Sequence, residues 1–412
     1  MPSVPALWCI AVAIATWLGV AAGLGSPFAA AISFGAAGVL FVRRYPVGVL
    51  AAFCVLGAAS GLISSARSQA IVSTDLPSGT VEATLRIAED PSSSTFGLAV
   101  GQITAIDGVK WDGPRVAIVS LPLSSAVGSL VTAKGTLSGG VRRVRDEVVA
   151  GTFKVRDILT SANSPNPIVT GGNAVRNAVG DRYDGTHDAD GLLSGFLTGD
   201  TGAMSASDEE DLRRAGLAHF VAVSGSNVAL FLGIWWVVTA PLSIHPRVRV
   251  VVGGVGLLLF AVITRWEPSV IRASVMASVL LAGGLFGIPV DPWMALGVAV
   301  TVLLLASGHL AMSVGFQLSV LATAGVLIGL AFAKGRDPKW LFVPLFSTVG
   351  AQAAVAPLLL VVFGTVPLLA PLTNLVVSPV IAITTVIGAI GVVLPPLAEV
   401  ARVGASFVLR VA

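Results

Sequence analysis

Charge is what this sequence lacks most. Asp, Glu, Lys and Arg together make up 11% of its 412 residues, where a soluble domain carries roughly a quarter. With 55% hydrophobic residues and a mean hydropathy of +0.89, folding alone cannot hide its apolar surface from water. The composition is that of an integral membrane protein. Cysteine is nearly absent: Cys9 and Cys54 lie far apart in apolar stretches, which excludes a disulfide framework and a thiolate metal site. The four histidines (187, 219, 245 and 309) are scattered and suggest no metal centre. No Gly-x-x-x-x-Gly-Lys phosphate loop occurs, so no nucleotide or other cofactor is expected, and energy coupling must come from a partner or an ion gradient. The opening MPSVPALW lacks the basic stretch of a cleavable signal, so the apolar run from Trp8 reads as a retained span.

What is present falls into zones. Residues 1–68 read as N-terminal transmembrane helices, with spans at 6–24, 28–42 and 47–63 separated by Gly25-Ser-Pro27 and Arg43-Arg44-Tyr-Pro46. Each is near or slightly below the ~20 residues a perpendicular helix needs. From about residue 69 to 170 the period changes. VEATLRIAE (81–89), FGLAVGQITAID (96–107), RVAIVSLP (115–122), LVTAKGTLSG (130–139) and VVAGTFKVRDI (148–158) are five β-rich runs, punctuated by turns such as Asp107-Gly108 and Gly139-Gly140. Five short strands predict a small closed barrel of the OB type, because closure removes exposed sheet edges. Residues 171–216 read as a Gly/Asn/Pro linker, starting near 161, and an amphipathic helix. His187-Asp-Ala-Asp190 falls in a solvated loop, and Ser207-Asp-Glu-Glu210 forms a capping box that opens a helix at 208–215. Residues 217–412 carry apolar runs near 217–242, 250–264, 270–288, 294–306, 312–333, 341–363 and 372–394, followed by an interfacial segment holding Glu399, Arg402 and Arg410. The predicted class is a polytopic α-helical membrane protein with an inserted extracytoplasmic all-β (OB-like) domain. Orientation follows from charge: Arg43-Arg44, then His245, Arg247 and Arg249, then Lys334, Arg336 and Lys339 share one parity. The positive-inside rule therefore puts these clusters and the N-terminus in the cytoplasm and the β domain outside.

Several residues are candidates for function. The run LAHFVAVSGSNVALFLGIWWV (217–237) is a membrane span except for Ser224, Gly225, Ser226 and Asn227, with His219 just before them. On a continuous helix His219 and Ser226 share a face, while Ser224 and Asn227 spread from it by about 140–160°. Small-residue packing is one reading; a broken helix lining a polar passage or binding site is the other. A nucleophilic role for Ser224 would need a base such as His309 within reach. Pro268 suits a first helical position, which sets Arg272 one turn inside an apolar helix, either snorkelling or paired with Glu267, or standing at the mouth of an anion path. Gln317, Gln352 and Asn374 are single amides in apolar runs flanked by prolines, which suits interhelical contacts or a hydrated cavity. In the β domain Arg142, Arg143, Arg145, Lys154 and Arg156 form a basic patch able to touch phosphates, as Arg265 is in the helical part. Few aromatics accompany them, so the single-strand-binding signal there is weak.

The order of these motifs resembles the ComEC family, competence proteins of the bacterial inner membrane. The resemblance rests on LTGD (197–200), LRRAGLAHFVAVSGSNVAL (212–230), PSVIRA (268–273), SVGFQLSVLATA (313–324), GAQ (350–352) and NLVVSP (374–379), and the spans and β domain before them extend it over nearly the whole chain. It implies a channel that passes single-stranded DNA into the cytoplasm during natural transformation. The implied partners are that DNA, the lipid bilayer, a DNA receptor and a cytoplasmic helicase or ATPase. His219, Ser224, Gly225, Glu267, Pro268, Arg272 and Gln317 match family motif positions, whereas Asn227 stands where many members have His. Many relatives continue into a metallo-β-lactamase-like domain; no His-x-His-x-Asp-His occurs here, so no nuclease or other catalytic residue is expected. A small-solute secondary transporter and an intramembrane serine hydrolase stand as the rival readings.

Overall fold

The computed structural model describes residues 3–25, 45–72, 76–91, 98–111, 113–122, 125–144, 147–221, 223 and 225–412. The expected span at 28–42, the pair Arg43-Arg44, Ser224 and Arg145 lie outside the described residues. The chain divides into two compact units, residues 65–178 and residues 1–64 with 179–412.

The smaller unit is built from β1 (Gly79–Ile87), β2 (Ala99–Ile106), β3 (Val109–Lys110), β4 (Arg115–Val119), β5 (Leu130–Val144) and β6 (Glu147–Ala162). The sheet order is β1-β5-β6-β4-β2-β3, and β1 pairs with β2 as well as with β5, so the sheet closes on itself. All pairings are antiparallel except β4 with β6. Leu85, Ile87, Ile103, Ile118, Leu137 and Phe153 fill the interior. Alternation along β6 is typical of the ring: Phe153 and Val155 point in, Lys154 and Arg156 point out. Asp107 (φ 48°) and Gly108 (φ 76°) make the left-handed pair that a two-residue hairpin turn requires. The strand reading needs two corrections. The short β3 is additional, and Gly139-Gly140 does not end β5. Gly140 (φ 142°) lies in a bulge between Gly139 and Arg142, beyond which β5 and β6 run on together as a hairpin to Val144 and Glu147.

The stretch expected as a linker is a helix. Within it, α3 (Pro167–Arg182) begins where the Asn166 side chain accepts from the Ile168 N–H and Pro167 takes the first position. Its first half is held to the β unit by Asn173 Nδ2 donating to the Val127 carbonyl (3.0 Å) and by Arg176 beside Asp90 (3.3 Å).

The larger unit is helical. It is assembled from α1 (Val4–Gly25), the first part of α2 (Tyr45–Val72), the end of α3, α4 (Asp190–Thr198), α5 (Ala206–Arg214), α6 (Ala218–Val221), α7 (Gly225–Thr239), α8 (Pro246–Ile263), α9 (Pro268–Phe286), α10 (Pro292–Ala306), α11 (Val314–Ala333), α12 (Lys339–Phe363), α13 (Ala370–Gly391) and α14 (Pro395–Val411). A 3-10 turn, Gly308–Met312, precedes α11. Six of these helices (α1, α8, α9, α11, α12 and α13) are long and apolar enough to cross a membrane, and α7 and α10 are shorter apolar helices. The protein is a multi-pass membrane protein. α2 runs further than the expected 47–63 span. The expected capping box is displaced: Ser205, not Ser207, is the N-cap of α5 and accepts from the Asp208 N–H (3.1 Å). Glu210 turns instead to Arg213 and Arg214 one turn on.

Close packing joins the spans. A methyl on Gly19 of α1 would collide with the Cys54 carbonyl on α2, and one on Gly329 of α11 with the Phe346 carbonyl on α12; only glycine lets these backbones approach so closely. Trp17 meets Phe316 at 5.5 Å between ring centres, tying α1 to α11 across Leu296, Val300 and Leu304 of α10. No residue of α12 is buried, and its apolar side chains, Trp340 and Val361 among them, face outward as lipid-facing residues do. Short α4 is the opposite. At about 13 Å it is far too short to span a bilayer, yet all its residues except the partly buried Leu197 are buried, in a cluster with Tyr183, Val221 and residues of α13 and α14.

Candidate functional site

Of the four small or polar residues, Gly225, Ser226 and Asn227 open a separate helix. α6 stops at Val221 and α7 starts afresh at Gly225. An interrupted helix leaves carbonyl and N–H groups that hydrocarbon cannot satisfy, and neighbouring helices answer some of them. Ser269 Oγ, in the first turn of α9, donates to the Val223 carbonyl (2.7 Å). Asn227 Nδ2 donates to the Phe196 carbonyl of α4 (2.9 Å). Asn227 therefore ties the start of α7 to α4 while its side chain stays partly exposed. Ser226 is exposed.

Arg272 is brought to the same place. Glu267 is the N-cap residue of α9, Pro268 takes its first position, and Arg272 follows one turn in. It is 6% exposed. Its described hydrogen bonds leave from Nη1, to the Thr323 hydroxyl of α11 and weakly to Met276 Sδ. Its Nε is buried without a hydrogen-bond partner. Nη2 faces the other way, lying 3.1 Å from where a methyl on Gly225 would sit. Among the described residues no ion pair includes Arg272, so Glu267, which is exposed, is not its partner. An arginine at the centre of a membrane helix costs about 3 kcal/mol on insertion scales, and one neutral hydroxyl offsets little of that.

The other candidates are distributed around a second locus or act locally. His219 Nδ1 lies 3.0 Å from the Gly216 carbonyl, and its ring packs on Phe220 at 4.1 Å. Gly216 (φ 76°) abuts Pro367 and Ala370. Gln352 Nε2 donates to the Pro367 carbonyl (3.2 Å), and Thr373 Oγ1 to the Ala215 carbonyl (2.9 Å). His219, Gln352 and the start of α13 thus meet at the α5–α6 turn, with the Asn374 Oδ1 beside them buried and unbonded. Gln317 Nε2 donates to the Ala311 carbonyl (2.8 Å), closing the turn from the 3-10 segment into α11, so it serves its own helix start. Arg265 and Trp266 (φ 58° and 57°) form a left-handed pair that turns the chain from α8 into α9.

In the β unit, Lys154 and Arg156 share the outer face of β6, and Arg142 is exposed further along the hairpin, opposite Val149. Five residues of strand separate Val149 from Lys154, about 16 Å, so the basic residues line a strand rather than form one patch. The side chain of Arg143 is not among the described ones.

Three participants escaped the sequence reading. Thr323 stood inside SVGFQLSVLATA, one helical turn after Ser319, whose carbonyl it bonds (2.9 Å); that spacing is the only local signal. The others are Asp190 and Arg402. Asp190, expected in a solvated loop, is fully buried as the first residue of α4. It accepts from Arg402 Nε (2.8 Å), and Arg402 Nη2 donates to the Arg182 carbonyl (3.0 Å). The Arg402 guanidinium, also 5.7 Å from the Tyr183 ring centre, is held above its ordinary pKa by the hydrogen bond to Asp190. Burial pushes the Tyr183 phenol up, and its hydroxyl donates to the Gly388 carbonyl (2.8 Å).

The chain is 24% identical over 207 residues to ComE operon protein 3 of Bacillus subtilis (strain 168), an alignment covering 50% of this chain and 26% of that protein. The chain thus spans about a quarter of the relative it matches. No solved structure matches. The family model described as Competence protein matches residues 196–412, from the last turn of α4 through α14 and hence over the interrupted helix, Arg272 and Thr323. With more than half of its length matched by that model, the chain belongs to the competence protein family and is a ComEC-like member of it.

Proposed function

We propose that this protein forms a passage for single-stranded DNA across the bacterial cytoplasmic membrane during natural transformation. Family membership supports a role in DNA uptake. The observation that carries the finer reading is the interrupted helix with an unpaired, buried Arg272 at its restart, inside a set of apolar spans. A polyanion cannot cross hydrocarbon; its path must offer hydrogen-bond donors and positive charge in place of water. Uncompensated cations inside apolar helices are rare and mark substrate or ion pathways.

The β unit fits the same reading. Its ring of strands, with β4 parallel to β6 and β1 closing on both β2 and β5, supports the reading of an OB-like domain. Charge parity across the basic clusters supports a position outside the cytoplasm. There Arg142, Lys154 and Arg156 can guide an incoming strand electrostatically. In this reading the chain is a conduit without catalytic residues, driven by a cytoplasmic helicase or ATPase and fed by a DNA receptor.

The test is transformation of a deletion strain with and without this chain restored. Loss of transformants, with labelled donor DNA held outside the cytoplasm, is the expected result in the deletion. Internalised donor DNA at the restored level in the deletion strain would overturn the proposal.

A further inference from the structure

Two turns of the helical unit are built alike. The turn from α7 to α8 carries Arg249, whose Nη2 donates to the Trp236 carbonyl in the last turn of α7. Its guanidinium lies 4.5 Å from the centre of the Trp236 ring. The turn from α11 to α12 carries Arg336, whose Nη1 donates to the Phe332 carbonyl in the last turn of α11. That guanidinium lies 5.0 Å from the centre of the Phe346 ring. Four apolar helices, α8 to α11, separate the two turns, and an even number of crossings returns the chain to the side it left. Charge parity supports that side as cytoplasmic. From this shared construction we infer that the two turns bind the headgroups of anionic phospholipids.

Charge of one sign is the first support. Lys334, Arg336 and Lys339 are exposed at the second turn, where Asp337 is the single acidic residue from 292 to 398. His245 and Arg247 are exposed at the first, and no acidic residue occurs from 212 to 266. Among the described residues no ion pair includes any of these or Arg249. Asp291, in the turn between α9 and α10, is taken up by the Ser3 hydroxyl and the Met294 N–H. Depth is the second support. Val237 (73%) and Leu242 (52%) are exposed beside the first turn, and Phe332 (58%) and Trp340 (77%) beside the second. A bilayer boundary covers both kinds of group at once, acyl chains on the apolar side chains and phosphates on the cations. Preorganisation is the third. An orientation signal needs only the number of such charges, whereas here a carbonyl and a ring fix each arginine in advance, so little side-chain freedom is lost on contact. A zwitterionic headgroup would bring its own cation to these patches; an anionic one brings only negative charge.

The test uses the full chain in bilayers of phosphatidylcholine and phosphatidylglycerol in equal amounts, with the acyl chains of one lipid or the other brominated. Quenching of Trp340, taken as the difference between wild type and Trp340→Phe, reports which lipid sits beside it. Random mixing quenches equally in the two preparations. At an anionic site phosphatidylglycerol is expected in excess, about fivefold for each basic residue it engages. Lys334→Gln and Lys339→Gln together should bring the ratio down toward one; both lysines are exposed, so the fold does not depend on them. Trp236, measured against Trp236→Phe, makes the same comparison at the first turn, with Arg247→Gln as the variant that lowers the ratio. Since the ratio compares two lipids around one folded protein, wild type alone can overturn the inference. Equal quenching by the two lipids, or an excess that survives the double substitution, overturns the lipid site and leaves the basic turns to a soluble partner. An excess at one turn only overturns the inference for the other.

Discussion

At the scale of single residues, the polar side chains inside the spans divide by what their hydrogen bonds reach. Gln317 closes its own helix start, and Asn227 bonds a neighbouring helix. Arg272 keeps a buried Nε without a hydrogen-bond partner, as Arg249 does in the first turn of α8. The difference bears on Asn227, where the family resemblance implies His in many members. An imidazole can donate an N–H to the Phe196 carbonyl as the amide does, so Asn227→His should keep the thermal midpoint of the purified protein. Asn227→Leu has no donor and leaves that carbonyl unanswered, a loss of about 1–2 kcal/mol. Equal midpoints for the two variants would show that the bond to α4 contributes nothing.

Elements were legible in the sequence to the degree that their signals are local. Apolar runs bounded by Pro and Gly located α8 to α13 within a few residues, because a span needs only hydropathy and its caps. The closed β ring was foreseeable from period and turn residues. The extension of β5–β6 was not, since its tip buries little and Gly139-Gly140 is a turn signal that the sheet turned into a bulge. α3 escaped for a related reason: it is thinly apolar, and what holds it is a pair of side-chain contacts to distant loops. Ser205 and Ser207 flank one alanine and offer equal caps on paper; the choice falls where the backbone is still extended (Ser205 φ −72°, ψ 149°). Of the candidate site, Arg272 and Gly225 were visible as oddities, while Thr323, 51 residues away, was not. Helix seams give a direct test of the packing. Gly329→Val should lower the midpoint strongly, because the methyls meet the α12 backbone. Gly254→Val, on α8 with nothing within 4 Å of the added carbon, should leave it nearly unchanged. Similar losses from both would mean that the α11–α12 seam is looser than described.

For the molecule as a whole, the tie between α4 and α14 is the ion pair of greatest reach among the described residues of the helical unit. Asp190 is fully buried, whereas Arg402 is 14% exposed and also bonds Glu399, so removing the arginine strands the Asp190 charge while removing the aspartate leaves Arg402 a second carboxylate. Arg402→Met is expected to cost about 3 kcal/mol and Asp190→Asn less, with the double variant losing less than the sum. Additive losses in a thermal double-mutant cycle would show that the pair is not coupled. The two residues are 212 positions apart, and this has a consequence for biogenesis. A chain enters the membrane from its N-terminus as it leaves the ribosome, so α4 arrives with Asp190 long before its counter-ion exists. Until α14 is made, the short helix that holds Asn227 has nowhere to bury its carboxylate. The burial of Asp190, and with it the seating of α4 against the start of α7, is complete only once α14 has been made.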